Sequence, residues 1–368
     1  MADELAHILI KQYDSLVTQR QTWESHWQEV ADYVVPRKAD VTKNRSPGDK
    51  RSELVFDGTA ILAAELLAAS LHGMLTNGST SWFGLRFSDD ELNGDDEAKE
   101  WLQSVEDVMY QAFNRSNFQE QIAELYLDLV TFGTAVMFVD KDDEQQIRFS
   151  TRHIKECFLS EDDKGRVDTV FRKFKMPARA ALKKFGEEKF NSKILQKANE
   201  NPYEQLTLIH AVYPRDERDI TKATAENKPF ASIYIEPEEK AVLSESGFDE
   251  FCYMAPRFSK SSFELGYGRS PSMTALADIK MLNRMSEVTI RAAQKQVDPP
   301  LLVPDDGFML PVRTVPGGLN FYRSGTRDRI EPLNIGANNP LGLNMEEQRR
   351  KAIRAAFYVD QLILGEGP

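Results

Sequence analysis

The sequence is poor in the residues that bind metals and form disulfides. Its 368 residues include only two cysteines, Cys157 and Cys252. Two thiols can form neither a disulfide framework nor a four-thiolate zinc site, so we expect both to lie in the core of a protein from a reducing compartment. The five histidines are far apart and show no metal-ligand spacing: His7, His26, His72, His153 and His210. The sequence therefore predicts no metal and no cofactor.

The chain also lacks an excess of positive charge and a long apolar run. It has 46 Lys and Arg against 58 Asp and Glu, a formal net charge of −12, which argues against tight DNA binding over the whole surface. The longest apolar stretch, 60–71, contains Glu65 and is shorter than the ~20 residues needed to span a membrane. The first residues do not have the layout of a signal peptide. We therefore expect a cytosolic-type chain with no membrane partner.

The length of 368 residues predicts two or three domains, and apolar periodicity predicts an α+β fold. Helices are expected at 1–35, 59–75, 97–114, 117–132, 177–185, 270–297 and 344–364, with a further helix ending near residue 198. Strands are expected at 134–139, 147–150, 157–160, 167–175, 206–213, 230–235 and 242–246. These strands are too close in sequence for helical crossovers, which favours an antiparallel sheet. Residues 37–52 carry six Lys or Arg against two Asp and are expected to form a mobile loop.

The sequence has no recognisable catalytic motif. The acidic stretch 140–144 resembles a calcium loop but has Gln145 where the loop needs glycine, so we interpret it as a hairpin turn. Gly266 and Gly268 lack the third glycine of a dinucleotide-binding motif and are expected to form a bend before the helix at 270. A metal-dependent DNA-processing enzyme that uses 140–144 or Asp305 and Asp306 remains an alternative. So does a scaffold that oligomerises without carrying DNA.

One side of the predicted helix 270–297 collects positive charge. Lys280, Arg284, Arg291 and Lys295 fall within 60° of one another at 100° per residue, and Glu287 lies in the same strip. The other side is widely apolar: Met281, Leu282, Met285, Ile290, Ala292, Ala293 and Val297. Two interpretations stay open. The strip is a solvated face, or it faces DNA or another helix while neighbouring copies cover the apolar side. Arg350 and Arg354, preceded by Glu346, repeat the pattern on the last helix.

Several strings in a specific order resemble the portal, or head-to-tail connector, proteins of short-tailed bacteriophages. The opening helix carries Arg20, Trp23, Glu24 and Trp27 and leads to Tyr33 and Pro36. Further strings are VFDGTA at 55–60, SWFGL at 81–85, GYGRSP at 266–271, ALADIK at 275–280 followed by Leu282 and Asn283, PPLLVP at 299–304, PGGLN at 316–320 and AAFYVD at 355–360. The resemblance covers nearly the whole chain.

The resemblance implies a portal-type subunit of a ring, usually of twelve copies. Residues 1–265 would form the wing, 266–297 the first stem helix, 298–340 a small β-containing clip and 341–364 the second stem helix; 365–368 would begin a tunnel loop, with the crown absent. Such a ring is not an enzyme. It sits at one capsid vertex of the virion, is assembled in the host cytoplasm, and is the conduit for DNA packaging and ejection.

The resemblance also implies partners. They are double-stranded DNA, the terminase large subunit, the major capsid protein and scaffold, and tail adaptor proteins. The candidates for facing the DNA channel are Lys280, Arg284, Arg291, Lys295, Arg350 and Arg354. The candidates for binding partners through the clip are Asp305, Asp306, Phe308, Arg313, Phe321 and Tyr322.

Overall fold

The computed structural model describes residues 2–46, 48–142, 144–222, 224–264, 266–302, 331–332 and 340–364. The helices of this described part are α1 (Ala2–Val34), α2 (Thr59–Leu75), α3 (Asp96–Arg115), α4 (Phe118–Phe132), α5 (Ala178–Phe185), α6 (Ser192–Glu200), α7 (Pro271–Val297), α8 (Pro340–Ala356) and α9 (Val359–Leu364). The candidate clip residues between 303 and 330 and the residues 365–368 lie outside the described residues.

The strands form antiparallel sheets, as the sequence predicts. They are β1 (Val136–Asp142), β2 (Gln146–Arg152), β3 (Cys157–Glu161), β4 (Val167–Pro177), β5 (Gln205–Pro214), β6 (Phe230–Glu236), β7 (Ala241–Phe248), β8 (Tyr253–Met254), β9 (Leu301–Leu302) and β10 (Glu331–Pro332). Five of them form one sheet in the order β3-β4-β5-β6-β7, three form a second in the order β2-β1-β8, and β9 pairs with β10. The predicted mixture of helices and antiparallel sheet is confirmed.

The long helix α1 joins two hydrophobic cores. Its first half packs Leu9 and Tyr13 against the five-stranded sheet, and its second half places Trp27 and Val30 in the core with α2, α4 and α7. Between them Arg20 is almost fully buried and donates hydrogen bonds to the carbonyl oxygens of residues 154 and 157, at 2.9 and 2.7 Å. These charge-assisted bonds fix the helix to the start of β3.

Three glycines allow the end of α4 to lie close to the segment that precedes α7. Gly133 ends α4 with φ 75°, and a Cβ atom there would lie 2.4 Å from the carbonyl oxygen of Gly268. Gly266 has φ 79°, and the Gly268 amide donates to Thr134 Oγ1 at 2.8 Å. The predicted bend before α7 is therefore confirmed. Only glycine allows the two backbone segments to approach this closely.

Other local predictions are confirmed or corrected in detail. Both cysteines are buried, and Asp142 closes the β1–β2 hairpin by accepting from the amides of Glu144 and Gln145 at 2.8 and 2.9 Å. Asn117, which the sequence pattern marks as the cap of α4, makes no side-chain cap. Its amide group instead bonds both the N–H and the C=O of Phe149 on β2.

The last helical region differs most from its prediction. The sequence pattern starts this helix at Asn344, but α8 begins at Pro340. It also breaks after Ala356, where Tyr358 takes a φ of 58° and α9 follows. A left-handed residue other than glycine leaves no strong sequence signal, so the break was not foreseen.

The basic loop 37–52 is tied to the body rather than free. Arg37 and Lys38 bond Glu124 on α4, and Lys38 also contacts Asp128. Further along, Lys43 bonds Asp32 of α1. The expectation of a mobile loop overlooked these acids because they belong to helices that precede or follow the loop in sequence.

Candidate nucleic-acid interface

The helix α7 carries most of the predicted channel-facing residues, and its first half is fixed by buried hydrogen bonds. Ser270 Oγ accepts from the Met273 amide at 3.1 Å and donates to the Thr131 carbonyl at 2.8 Å. Ser272 Oγ donates to the Val130 carbonyl at 2.8 Å. The start of α7 is thus anchored to the end of α4, and its second half extends away from the core.

The predicted cation strip lies on the exposed side of α7, but several of its charges are already paired. Arg284 Nη1 and Arg291 Nη2 both bond Glu287, at 2.7 and 2.6 Å. Lys280 bonds Glu29 of α1, and this hydrogen bond raises the lysine pKa. Three of the four cations therefore pair with two carboxylates, and among the described residues Lys295 has no ion-pair partner. The strip keeps a modest positive charge.

The apolar side of α7 is divided between the chain itself and solvent. Leu282 is only 1% exposed and packs in the protein's own core, so no neighbouring copy is needed to cover it. Met281 and Val288 are 48% and 54% exposed and flank the cation strip rather than opposing it. The sequence pattern correctly found one amphipathic helix but did not show how much of its apolar face the chain would cover.

The helix α8 lies against α7 and uses its arginines mainly for internal contacts. Arg350 bonds Asp57, just before α2, at 3.0 Å and Glu346 at 3.1 Å. Arg349 bonds Asp278 of α7 at 2.6 Å. Arg354 is exposed on the same helix. The acids Glu29, Asp57 and Asp278 were missed by sequence reasoning, because nothing local in the sequence links them to partners 71 to 293 residues away.

The described residues also bear on catalysis. Burial raises the pKa of both cysteine thiols to about 12, which makes them poor nucleophiles at neutral pH. A cavity of about 600 Å³ lies beside α1 and β3, but its buried carboxylates, Glu161 and Glu264, are already held by Arg257 and Arg269. In the described part of the chain, no group of three His, Cys, Asp or Glu side chains is placed to hold a metal ion. No helix of that part is long and apolar enough to cross a membrane.

Comparison with known proteins identifies relatives along nearly the whole chain. A 366-residue alignment with the "Probable portal protein" of Bordetella phage BPP-1 is 31% identical and covers 97% of this chain and 65% of the relative. A 371-residue alignment with the "Portal protein" of Salmonella phage epsilon15 is 29% identical and covers 99% and 66%. The chain thus spans about two thirds of the length of these relatives. The family model described as bacteriophage head to tail connecting protein matches residues 6–368, and the chain belongs to this family.

Proposed function

We propose that this protein is a portal subunit, which forms a ring at one capsid vertex and acts as the conduit for DNA. The observation that carries the proposal is the family match over residues 6–368, together with two relatives that are named portal proteins. The role is structural rather than enzymatic. The ring, of twelve copies, would serve terminase-driven packaging first and DNA ejection later.

The proposed parts follow the order of the elements. The two larger sheets and the helices α1 to α6 precede residue 265 and would form the wing. The helices α7 and α8, which pack side by side, would form the stem. The 27 residues of α7 give a rod of about 40 Å. Residues 298–340 would form the clip and contact terminase and later the tail adaptors, while capsid protein and scaffold would surround the wing.

The cation strip of α7 would border the DNA path. Half of its charge is offset by Glu29 and Glu287, so the remaining attraction for phosphates is moderate. Moderate attraction suits a polymer that must slide, because each fully neutralised phosphate contact adds to the affinity and slows release. Lys295 and Arg354 are exposed in the described structure and would contribute most of this attraction.

The first test is the native mass of the purified protein together with top views by electron microscopy. Twelve copies of 41.9 kDa give about 503 kDa, and we expect a closed ring of about this mass with a central hole. An open assembly, or a ring without a through-channel, would favour the scaffold alternative. A chain that stays monomeric at high concentration would count against the proposal.

The second test concerns the cation strip. Replacing Lys280, Arg284, Arg291 and Lys295 with glutamine should lower packaging yield or DNA retention while the ring stays intact, since these side chains are exposed. The matched control replaces four exposed cations on different elements: Lys11, Lys50, Lys141 and Arg218. Equal packaging by both variants would remove the strip from the DNA path.

A further inference from the structure

The strongest local excess of positive charge in the sequence lies outside the proposed channel. Residues 172–197 contain nine Lys or Arg and only two acidic residues, Glu187 and Glu188. The remainder of the chain has 37 Lys or Arg and 56 Asp or Glu. The net charge of this stretch is therefore opposite in sign to the net charge of the rest of the chain. The structure shows whether these cations are paired within the chain or exposed and available to an external anion.

The fold places most of this charge on one corner of the five-stranded sheet. Both α5 and α6 bury small and aliphatic side chains, among them Ala181 and Ile194, against Leu206 and Leu208 of β5. The polar sides of both helices therefore face solvent.

The cations of β4 lie elsewhere. Lys173 and Lys175 alternate with the buried Phe174 and lie on the opposite face of the sheet. On that face Lys173 Nζ is 5.7 Å from the centroid of the Tyr13 ring of α1. We call the six exposed cations of α5, α6 and the turn between them the basic corner: Arg179, Lys183, Lys184, Lys189, Lys193 and Lys197.

The charges of the basic corner are almost entirely unneutralised. Among the described residues only Lys193 has an ion-pair partner, Glu239, at 3.6 Å between two well-exposed groups. Such a contact contributes little in water. Arg179 lies 5.6 Å from the ring centroid of Tyr203, which holds the guanidinium without cancelling its charge.

The surroundings of the basic corner suit a phosphate backbone better than a protein partner. Between residues 172 and 200 no large apolar side chain is exposed, and the one exposed aromatic side chain beside this stretch, Tyr203, lies against Arg179. Protein interfaces depend on buried aromatic or aliphatic anchors, whereas contacts to DNA phosphates need only exposed Lys and Arg. Acidic residues elsewhere on the chain do not prevent this, because charges more than about 8 Å apart are largely screened at physiological ionic strength.

We propose that the basic corner binds the phosphate backbone of duplex DNA without sequence preference. This second DNA-contact surface belongs to the two helices on the five-stranded sheet, and it is separate from the strip on α7. It goes beyond the proposed conduit because it does not require DNA to enter a channel. The surface would hold duplex DNA that lies alongside the protein.

The experiment uses a closed circular DNA duplex, because a closed circle cannot thread through a ring. The whole chain is titrated into a fluorescently labelled minicircle at several salt concentrations between about 50 and 200 mM. The test variant carries Lys183→Gln, Lys189→Gln, Lys193→Gln and Lys197→Gln. The control carries Lys11→Gln, Lys50→Gln, Lys141→Gln and Arg218→Gln, which removes the same charge from scattered positions.

We expect the native chain to bind the circle and the test variant to bind at least about tenfold more weakly at the lowest salt concentration. The slope of log affinity against log salt should become shallower by about 3 to 4, close to one for each lost phosphate contact. The control should stay within about twofold of the native affinity, since scattered charges make no joint contact with one duplex. Circular dichroism and native mass should be unchanged in both variants.

Three results would overturn the proposal. The native chain fails to bind the circle, both variants lose affinity equally, or the test variant binds like the native chain, in which case the corner serves an acidic protein or no partner. This test does not depend on ring formation. A failed ring assay therefore counts against the portal proposal, and a failed minicircle assay counts against DNA binding by the basic corner.

Discussion

The loop 37–52 and the basic corner are both rich in cations, yet the fold treats them in opposite ways. In the loop, Lys43 Nζ lies 2.7 Å from Asp32 and Arg51 Nη2 lies 2.6 Å from Asp40. Lys38 is held by Glu124 and Asp128 together. In the basic corner the single ion pair is the exposed Lys193–Glu239 contact among the described residues. One region uses its charge to join helices, and the other presents its charge to solvent.

The cause of the difference is what lies opposite each region. The loop runs between α1 and α4, and these helices present Asp32, Glu124 and Asp128 toward it. The helices of the basic corner rest on an apolar face of the sheet instead, and in the described structure the carboxylate that pairs with one of their cations is the exposed Glu239. The net charge of a segment therefore does not indicate whether that charge is available to a partner. The location of acids elsewhere in the chain decides it.

The largest expected effect on stability comes from removing the buried ion pair between Lys38 and Asp128. The side chains of Lys38 and Asp128 are only 9% and 2% exposed, Lys38 contacts Oδ1 of Asp128, and Oδ2 has no hydrogen-bond partner in the described structure. Replacing Lys38 with methionine keeps the apolar stem but leaves a buried carboxylate without a counter-charge. We expect a loss of about 3–5 kcal/mol of unfolding free energy at neutral pH, measured by urea denaturation.

The matched control is Arg37→Met, in the same loop. The Arg37 side chain is 57% exposed and its pair with Glu124 faces solvent. Removing it should cost at most about 1 kcal/mol. If the two variants lose the same stability, burial is not what makes the Lys38 contact strong. The buried and the exposed ion pair would then contribute equally to stability.

The next effect is a pH dependence that the loop has and the basic corner lacks. Burial raises the pKa of Asp128 from 3.8 to about 6, although Lys38 pulls it the other way. The native state then binds this proton more tightly than the unfolded chain between about pH 4 and pH 6. The contribution of Asp128 to stability should therefore increase as the pH falls through this window, by up to about 3 kcal/mol.

Glu124 limits that gain at lower pH. Its pKa is lowered from 4.5 to about 2, because its hydrogen bonds and ion pairs with Arg37 and Lys38 outweigh its burial. Its stabilisation is present above pH 4.5 and lost as the pH falls toward 2. The variant Asp128→Asn should remove the dependence between pH 4 and 6 and keep the one below 4.5. Thermal melts of both proteins across this range would contradict the assignment if their difference in stability stayed constant.

The sequence predicts the elements of this fold better than the contacts between them. The helix α7 was predicted at 270–297 and observed at Pro271–Val297, because Ser270, Pro271 and the prolines after residue 298 mark both ends locally. The sequence predicts that the Asn117 side chain caps α4, which it does not do, and it does not predict the break of the last helix at Tyr358. In each case tertiary contacts or a left-handed residue outweighed the local pattern.

The candidate site shows the same limit. Helical spacing correctly places Lys280, Arg284, Arg291 and Lys295 on one exposed face of α7. It could not show that Glu29, some 250 residues earlier, would bind the first of them. The excess of cations at 172–197, by contrast, can be counted directly in the sequence, and only the structure distinguishes it from the similar excess at 37–52.

The smallest expected effect on stability separates the two regions most clearly. The four substitutions in the basic corner remove exposed side chains without buried partners and relieve repulsion among like charges, so together they should change the unfolding free energy by less than about 0.5 kcal/mol. The loop variant Lys43→Gln with Arg51→Gln removes two partly buried pairs and should cost about 1 kcal/mol or somewhat more. On the DNA minicircle the order should reverse, because the loop cations are already neutralised and the corner cations are not. Urea denaturation should therefore show the larger loss of stability for the loop variant, and minicircle titration should show the larger loss of DNA affinity for the basic-corner variant. If one variant lost more in both measurements, ion pairing within the chain would not decide which cations contact DNA.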